Sequence, residues 1–156
     1  AGMPLAYSTV RTTFLHLLMR IYRKLAEQVV DPALSAATGL ERLQQLAERF
    51  LQHVEDDVFP GGCFFASVAA EIDRHAPPVR DRALKTIGEW FGYLVAAVQG
   101  AQADGQINDA EDPVQLAFEI DAFLLLANAN YVIMRAPEPL DRARHAIRAR
   151  LALAAS

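Results

Sequence analysis

A chain of 156 residues, 53% hydrophobic and with a formal net charge of -4, is long enough to bury a proper core as a single domain over residues 1–156 without staples. Its acidic balance excludes a domain whose main partner is nucleic acid, because neutralising phosphates needs a basic stripe. The single cysteine, Cys63, excludes an internal disulfide and fits a reducing cytoplasm. No signal peptide or membrane segment stands out, and the opening Ala1-Gly2-Met3 reads as the start of a fragment or a tagged chain.

Every long segment has a 3.6-residue apolar period and almost none alternates, so the predicted class is all-α with six helices. The first helix spans Ser8–Val30, with Phe14, Leu18, Ile21, Leu25 and Val29 on one broad stripe, and Asp31-Pro32 ends it. Residues 31–39 are a predicted loop. The second helix, Leu40–Asp57, is the most regular, with Leu43, Leu46, Phe50 and Val54 inward. Pro60-Gly61-Gly62 breaks the chain before a short, alanine-rich helix over Cys63–His75. Pro77-Pro78 opens the next, Val79–Ala103, with Ala83, Ile87, Trp90, Phe91, Leu94 and Val98 inward, and Asp104-Gly105 closes it.

Asp112–Arg135 is the stretch around which the rest is organised. Proline at its first turn loses no hydrogen bond, because the N–H there has no helical partner. Apolar residues then occupy every side of the wheel: Leu116, Ile120, Phe123, Ala127 and Met134 on one stripe, Phe118, Leu125, Ala129 and Val132 opposite. Asp121, Asn128 and Asn130 interrupt the apolar run, which falls short of the roughly 20 residues a membrane span needs. A helix apolar all round must be covered on both sides, so one face is expected against this chain's own core and the other against a second copy. The last helix, Leu140–Leu153, carries Leu140, Ala143, Ile147 and Leu151 between arginines.

The run Pro60-Gly61-Gly62-Cys63-Phe64-Phe65-Ala66-Ser67-Val68-Ala69-Ala70-Glu71 resembles the start of the sixth helix in TetR-type transcriptional regulators. Gln102-Ala103-Asp104-Gly105-Gln106-Ile107 resembles that family's turn after the seventh helix. Asp112-Pro113 followed by Leu116-Ala117-Phe118-Glu119 resembles the opening of its eighth. Order, spacing and helix count extend the likeness over nearly the whole chain. It implies that the six helices are the family's fourth to ninth, an effector-binding and dimerisation domain whose last two helices form a four-helix bundle with a mate. The expected interface residues are Phe123, Ala127, Asn130, Tyr131, Met134, Ala143, Ile147, Arg150 and Leu151. It also implies a small-molecule effector, and contact with operator DNA only through a helix-turn-helix domain of which Tyr7 is the one trace here.

The candidate pocket residues are the inward aromatics Phe14, Phe50, Phe64, Phe65, Trp90, Phe91 and Phe118, since such rings line mostly apolar ligand cavities; the same rings would equally fill a core. Trp90 is the strongest single candidate, because its indole N–H needs a partner. Asp121, Asn128 and Arg135 share one stripe of their helix, while Glu119 and Asn130 share another nearly opposite. One stripe should face the pocket and the other the interface, and the spacing leaves open which is which. His53 is a candidate for the pocket rim. Cys63, at a helix N-terminus, is either an activated thiolate or a small buried hydrophobe. The histidines at 16, 53, 75 and 145 lie one per helix, so neither metal nor cofactor is expected. No convergent nucleophile, base and oxyanion donor is present, which argues against an enzyme. The rival reading is a structural helical dimer without a cavity.

Overall fold

The computed structural model describes residues 5–59, 61–66 and 77–155, with backbone alone at 5–12, 14 and 15. Its helices, in order, are α1 (Leu5–Leu25), α2 (Asp31–Leu34), α3 (Gly39–Glu55), α4 (Pro77–Ala103), α5 (Pro113–Met134) and α6 (Glu138–Ala154). No strand occurs among the described residues. Of the expected helix Cys63–His75, Phe64–Ala66 are helical, and residues 67–75, like Pro60, lie outside the described residues.

The one real departure in helix layout is at Asp31-Pro32. These residues do not end the first helix. The chain widens into a π-turn over Ala26–Val30, in which the Asp31 N–H reaches back to the Ala26 carbonyl, and Pro32 then sits in the first turn of α2. A proline ring inside a regular helix would clash with the carbonyl four residues back. The wider turn accommodates it, so the chain bends without unwinding.

α3 starts at Gly39 behind a capping box: the Glu41 N–H donates to Thr38 Oγ1 at 3.2 Å and the Thr38 N–H to Glu41 Oε2 at 3.2 Å. The two N–H groups between them are satisfied from the turn that follows α4. Gly39 N–H donates to Asp104 Oδ2 at 2.9 Å and Leu40 N–H to Gln106 Oε1 at 3.2 Å. The approach is so close that a Cβ on Gly39 would stand 1.9 Å from the Ala101 backbone nitrogen. The start of α3 is thereby locked onto the end of α4.

The core lies where α3, α4 and α5 meet. Leu43, Leu46 and Val54 from α3, Leu94 and Val98 from α4, and Leu116, Ile120 and Leu124 from α5 are completely buried there. α1 and the π-turn lay Leu18, Ile21, Leu25 and Val29 across it, and α6 adds Leu140, Ile147 and Leu151. Asp112 caps α5 through the N–H groups of Val114 and Gln115, with Pro113 in the first turn as expected.

α5, 22 residues long and with an 18-residue stretch of mean hydropathy 1.4, does reach the length and composition of a membrane span, which corrects the expectation that the run is too short. Three of its polar residues nevertheless find partners in the protein. Asp121 Oδ1 accepts from the Trp90 indole at 2.9 Å, Asn128 Oδ1 from the Cys63 N–H at 2.8 Å, and Glu119 pairs with Arg150. Arg150 of α6 also holds Glu111 at 2.7 Å, and Arg144 gathers Glu48, Glu55 and Asp141. These ion clusters, partly buried at the arginines, clamp α6 against α3 and α5.

Two outcomes follow from this packing. Asn128→Ala leaves a buried N–H at Cys63 without a partner and should lower unfolding stability by about 1–3 kcal/mol in urea denaturation. Arg150→Ala should lower it by about 1–2 kcal/mol at neutral pH. Hydrogen bonds hold both carboxyls below their ordinary value, from Arg150 for Glu111 and from Gln115 and then Arg150 for Glu119. A depressed folded-state pKa stabilises above the unfolded value and is lost as pH falls through the folded one. The gap between wild type and Arg150→Ala should therefore narrow as the medium is acidified through the carboxylate range; a gap independent of pH contradicts the clamp.

Candidate functional site

The Gly61-Gly62 turn explains how the site is assembled. Both glycines have positive φ, at 105° and 79°, which side chains rarely adopt. A Cβ on Gly62 would lie 2.2 Å from Asn128 Oδ1. With only hydrogen there, the turn presses against α5 and Asn128 takes the next N–H, that of Cys63. The chain is so aimed that Cys63, Phe65 and Ala66 form one wall of a cavity of about 70 Å³.

The other walls come from Leu25 at the end of α1, Phe50 of α3, Thr86, Ile87 and Trp90 of α4, and Asp121 and Leu125 of α5. Phe50 and Trp90 stack with ring centroids 5.4 Å apart at 33°. The lining is apolar apart from Trp90, Asp121, Thr86 and the Cys63 thiol. Burial pushes the Asp121 carboxyl above its ordinary value, while the Trp90 hydrogen bond pulls it back. Thr86 is 2% exposed, and its Oγ1 has no hydrogen-bond partner among the described residues.

Phe50, Phe65, Trp90 and Asp121 thus come together, and sequence reasoning did not include Leu25, Thr86, Ile87 or Leu125. Thr86 sits on the same inward stripe as Ala83 and Trp90, so a polar residue among inward positions was the available signal. Five candidates lie elsewhere. Phe118 is 61% exposed, because its stripe of α5 points away from the core. Phe64 stands edge-on to Phe65 at 5.6 Å, half-buried and off the lining, as is Phe91. Asn128 is spent on the Cys63 N–H. His53 is buried on another side of α3, its Nδ1 3.2 Å from Gln28 Oε1, in a polar groove of about 340 Å³ with Glu27, Arg49 and Asp56. Burial, then Lys24, lowers its pKa against the pull of Asp56. The side chain of Phe14 lies outside the described residues.

Asp121, Asn128 and Arg135 all turn towards this chain's α3–α4 side, Arg135 pairing with Asp57 at 3.1 Å. Glu119 and Asn130 turn towards α6. Burial pushes the Cys63 thiol above its ordinary value, the backbone N–H groups of Ala66 and Phe65 pull it back, and the negative charge of Asp121 adds a smaller upward push. Cys63 is a buried hydrophobe, since desolvation outweighs the helix terminus. No cluster of three metal-ligating side chains occurs among the described residues.

The residues expected at an interface divide. Ala127, Ala143, Ile147 and Leu151 are buried within the protomer, because α6 packs its apolar stripe onto this chain's own α5. Arg150 is committed to Glu111 and Glu119, and the Tyr131 hydroxyl donates to the Glu55 carbonyl at 3.3 Å. Phe123, Asn130 and Met134 line an open groove of about 560 Å³ between α5 and α6, whose floor includes Ala127 and Ala143. Leu126 also lines the groove and Ile133 lies beside it, 63% and 79% exposed.

Residues 39–147, from the start of α3 into α6, match the model for the C-terminal domain of tetracyclin repressor-like proteins. No curated protein matches the chain. The match takes in the Gly62–Asn128 junction and every cavity wall except Leu25, and the chain belongs to the TetR-like C-terminal domain family, a family of non-enzymatic regulatory domains.

Proposed function

We propose that this chain is the ligand-sensing and dimerisation domain, over residues 1–156, of a cytoplasmic TetR-like transcriptional regulator. It binds a small, largely apolar effector that alters the operator affinity of the intact protein. The observation that carries this reading is the apolar cavity walled by Leu25, Phe50, Phe65, Ile87 and Leu125, with one polar pair, Trp90 and Asp121, set into it. Cavities of this make-up orient ligands by few polar contacts and hold them by area.

Its volume of about 70 Å³ is roughly half of the ~150 Å³ that holds a benzene ring. A ring-sized occupant therefore has to part the walls. The wall that leads towards the start of the chain is α1, which meets the rest of the molecule through the buried Leu18, Ile21 and Leu25, the ring contacts of Tyr22 with Arg82 at 4.8 Å and of Lys24 with Phe59 at 5.6 Å, and a hydrogen bond between Tyr22 and Glu89. In intact regulators of this family the DNA-binding helices precede this position. A ligand that fits only the parted arrangement shifts the population towards it, and a coupling of about 1–3 kcal/mol suffices to change operator affinity.

The second copy covers the outward side of α5. Phe118, Leu126 and Ile133 with the α5–α6 groove form an apolar surface of the kind that marks a protein interface. Two α5–α6 pairs would close it as a four-helix bundle. A purely structural dimer would share that surface but have no use for the cavity.

Trp90 is the only tryptophan and lines the cavity, so its fluorescence reads occupancy directly. Titration with benzyl alcohol and toluene should give a saturable change, lost in Ala66→Phe, which fills the cavity from one wall. A change that only grows in proportion to ligand, or that survives Ala66→Phe unaltered, contradicts the sensor reading.

A further inference from the structure

The cavity is uneven in its polar lining. Trp90 donates to Asp121 Oδ1, and among the described residues no donor meets Asp121 Oδ2. Four positions along α4 from Trp90 stands Thr86, at the same cavity, buried and with its hydroxyl oxygen unpartnered. A buried polar atom without a partner is costly, and a native site that tolerates one generally offers it to something. Among the described residues, no Lys, Arg or His lines the cavity. The guanidinium of Arg82, one turn before Thr86 on α4, lies over the Tyr22 ring and is not part of the lining.

From this placement we infer that the cavity selects ligands whose apolar body carries a hydrogen-bond donor, a hydroxyl or an amine, received by the open oxygen of Asp121 beside Thr86, and rejects organic anions. The inference rests on the cavity being the effector site. An anion would bring a second negative charge against Asp121, with no cation among the described lining residues to answer it. A bare hydrocarbon would seal the carboxyl away from water with one oxygen unmet, a loss that a donor-bearing analogue avoids. Burial already holds the Asp121 carboxyl above its ordinary value, so its ionised form gains most from a partner that brings a donor. The tilted Phe50 and Trp90 rings supply faces suited to the carbon skeleton next to that donor, and to an ammonium if the head is an amine.

Four near-isosteric probes differing only in the head group, benzylamine, benzyl alcohol, toluene and benzoate, test this by isothermal calorimetry on the whole chain and on two variants. Benzylamine and benzyl alcohol should each bind about tenfold or more tighter than toluene, and benzoate should not bind. The order of the amine and the alcohol tells whether the open oxygen receives a cation or a neutral donor. Asp121→Asn keeps an acceptor for the Trp90 N–H but turns the other position into an amide donor; it should weaken the amine by about tenfold and leave toluene unchanged. Thr86→Val should weaken the alcohol more than toluene. Toluene binding as tightly as the amine and the alcohol, or benzoate binding best, overturns the donor inference and leaves the sensor reading standing. Binding of none of the four overturns the sensor reading and this inference with it.

Discussion

The structure depends on how one helix is covered. α5 has apolar side chains around its whole circumference with a few polar ones among them, and a helix of that kind is stable in water only when both flanks are packed. On one flank the solution is complete. Leu116, Ile120 and Leu124 are fully buried among α3 and α4, and Asp121 and Asn128 are met by an indole N–H and a backbone N–H. The other flank is half solved. α6 lies along it and is held by arginine–carboxylate clusters, but Phe118, Leu126 and Ile133 stay in water.

The polar residues of α5 also decide where the cavity is. Asn128 fixes the Gly61-Gly62 turn by taking the Cys63 N–H, and a glycine at 62 is what allows the turn to come that close. The turn then delivers Phe65 and Ala66 opposite Trp90, whose position is set in turn by Asp121. One stripe of α5 thus builds two walls of the cavity at once, while the stripe bearing Glu119 serves α6. The end of α1 closes the remaining side through Leu25. α1 is seated by the apolar contacts of Leu18, Ile21 and Leu25 and by the polar contacts of Tyr22 and Lys24, whereas α3 is locked onto α4 through Gly39 and Asp104.

Much of the layout was legible because periodicity reports burial. The stripes Leu43–Leu46–Phe50–Val54 and Ala83–Trp90–Leu94–Val98 emerge as drawn, and Asp112-Pro113 begins α5. Pro32 misled, since a proline rule applied to a regular helix takes no account of a π-turn that makes room for the ring. The family was readable from the Pro60–Glu71 run and the Asp104-Gly105 turn in their order, and the match over 39–147 agrees with it. What the pattern does not carry is the identity of the neighbour. Ala143, Ile147 and Leu151, expected at an interface, are buried within the protomer against its own α5, and Phe118, expected inside, is exposed because α5 offers apolar faces in every direction. Thr86 passed unnoticed for a related reason: a lone hydroxyl on an inward stripe looks like a satisfied core residue until its surroundings are known.

The claim that α5 is enclosed between its own core and a second copy is tested most directly by sedimentation equilibrium of the wild-type chain at micromolar concentration. The account predicts a species of twice the 17.2 kDa chain mass, dissociating on dilution or when Ile133 is replaced by aspartate. A single species of chain mass at every concentration, with Leu126 and Ile133 left in water, would contradict it.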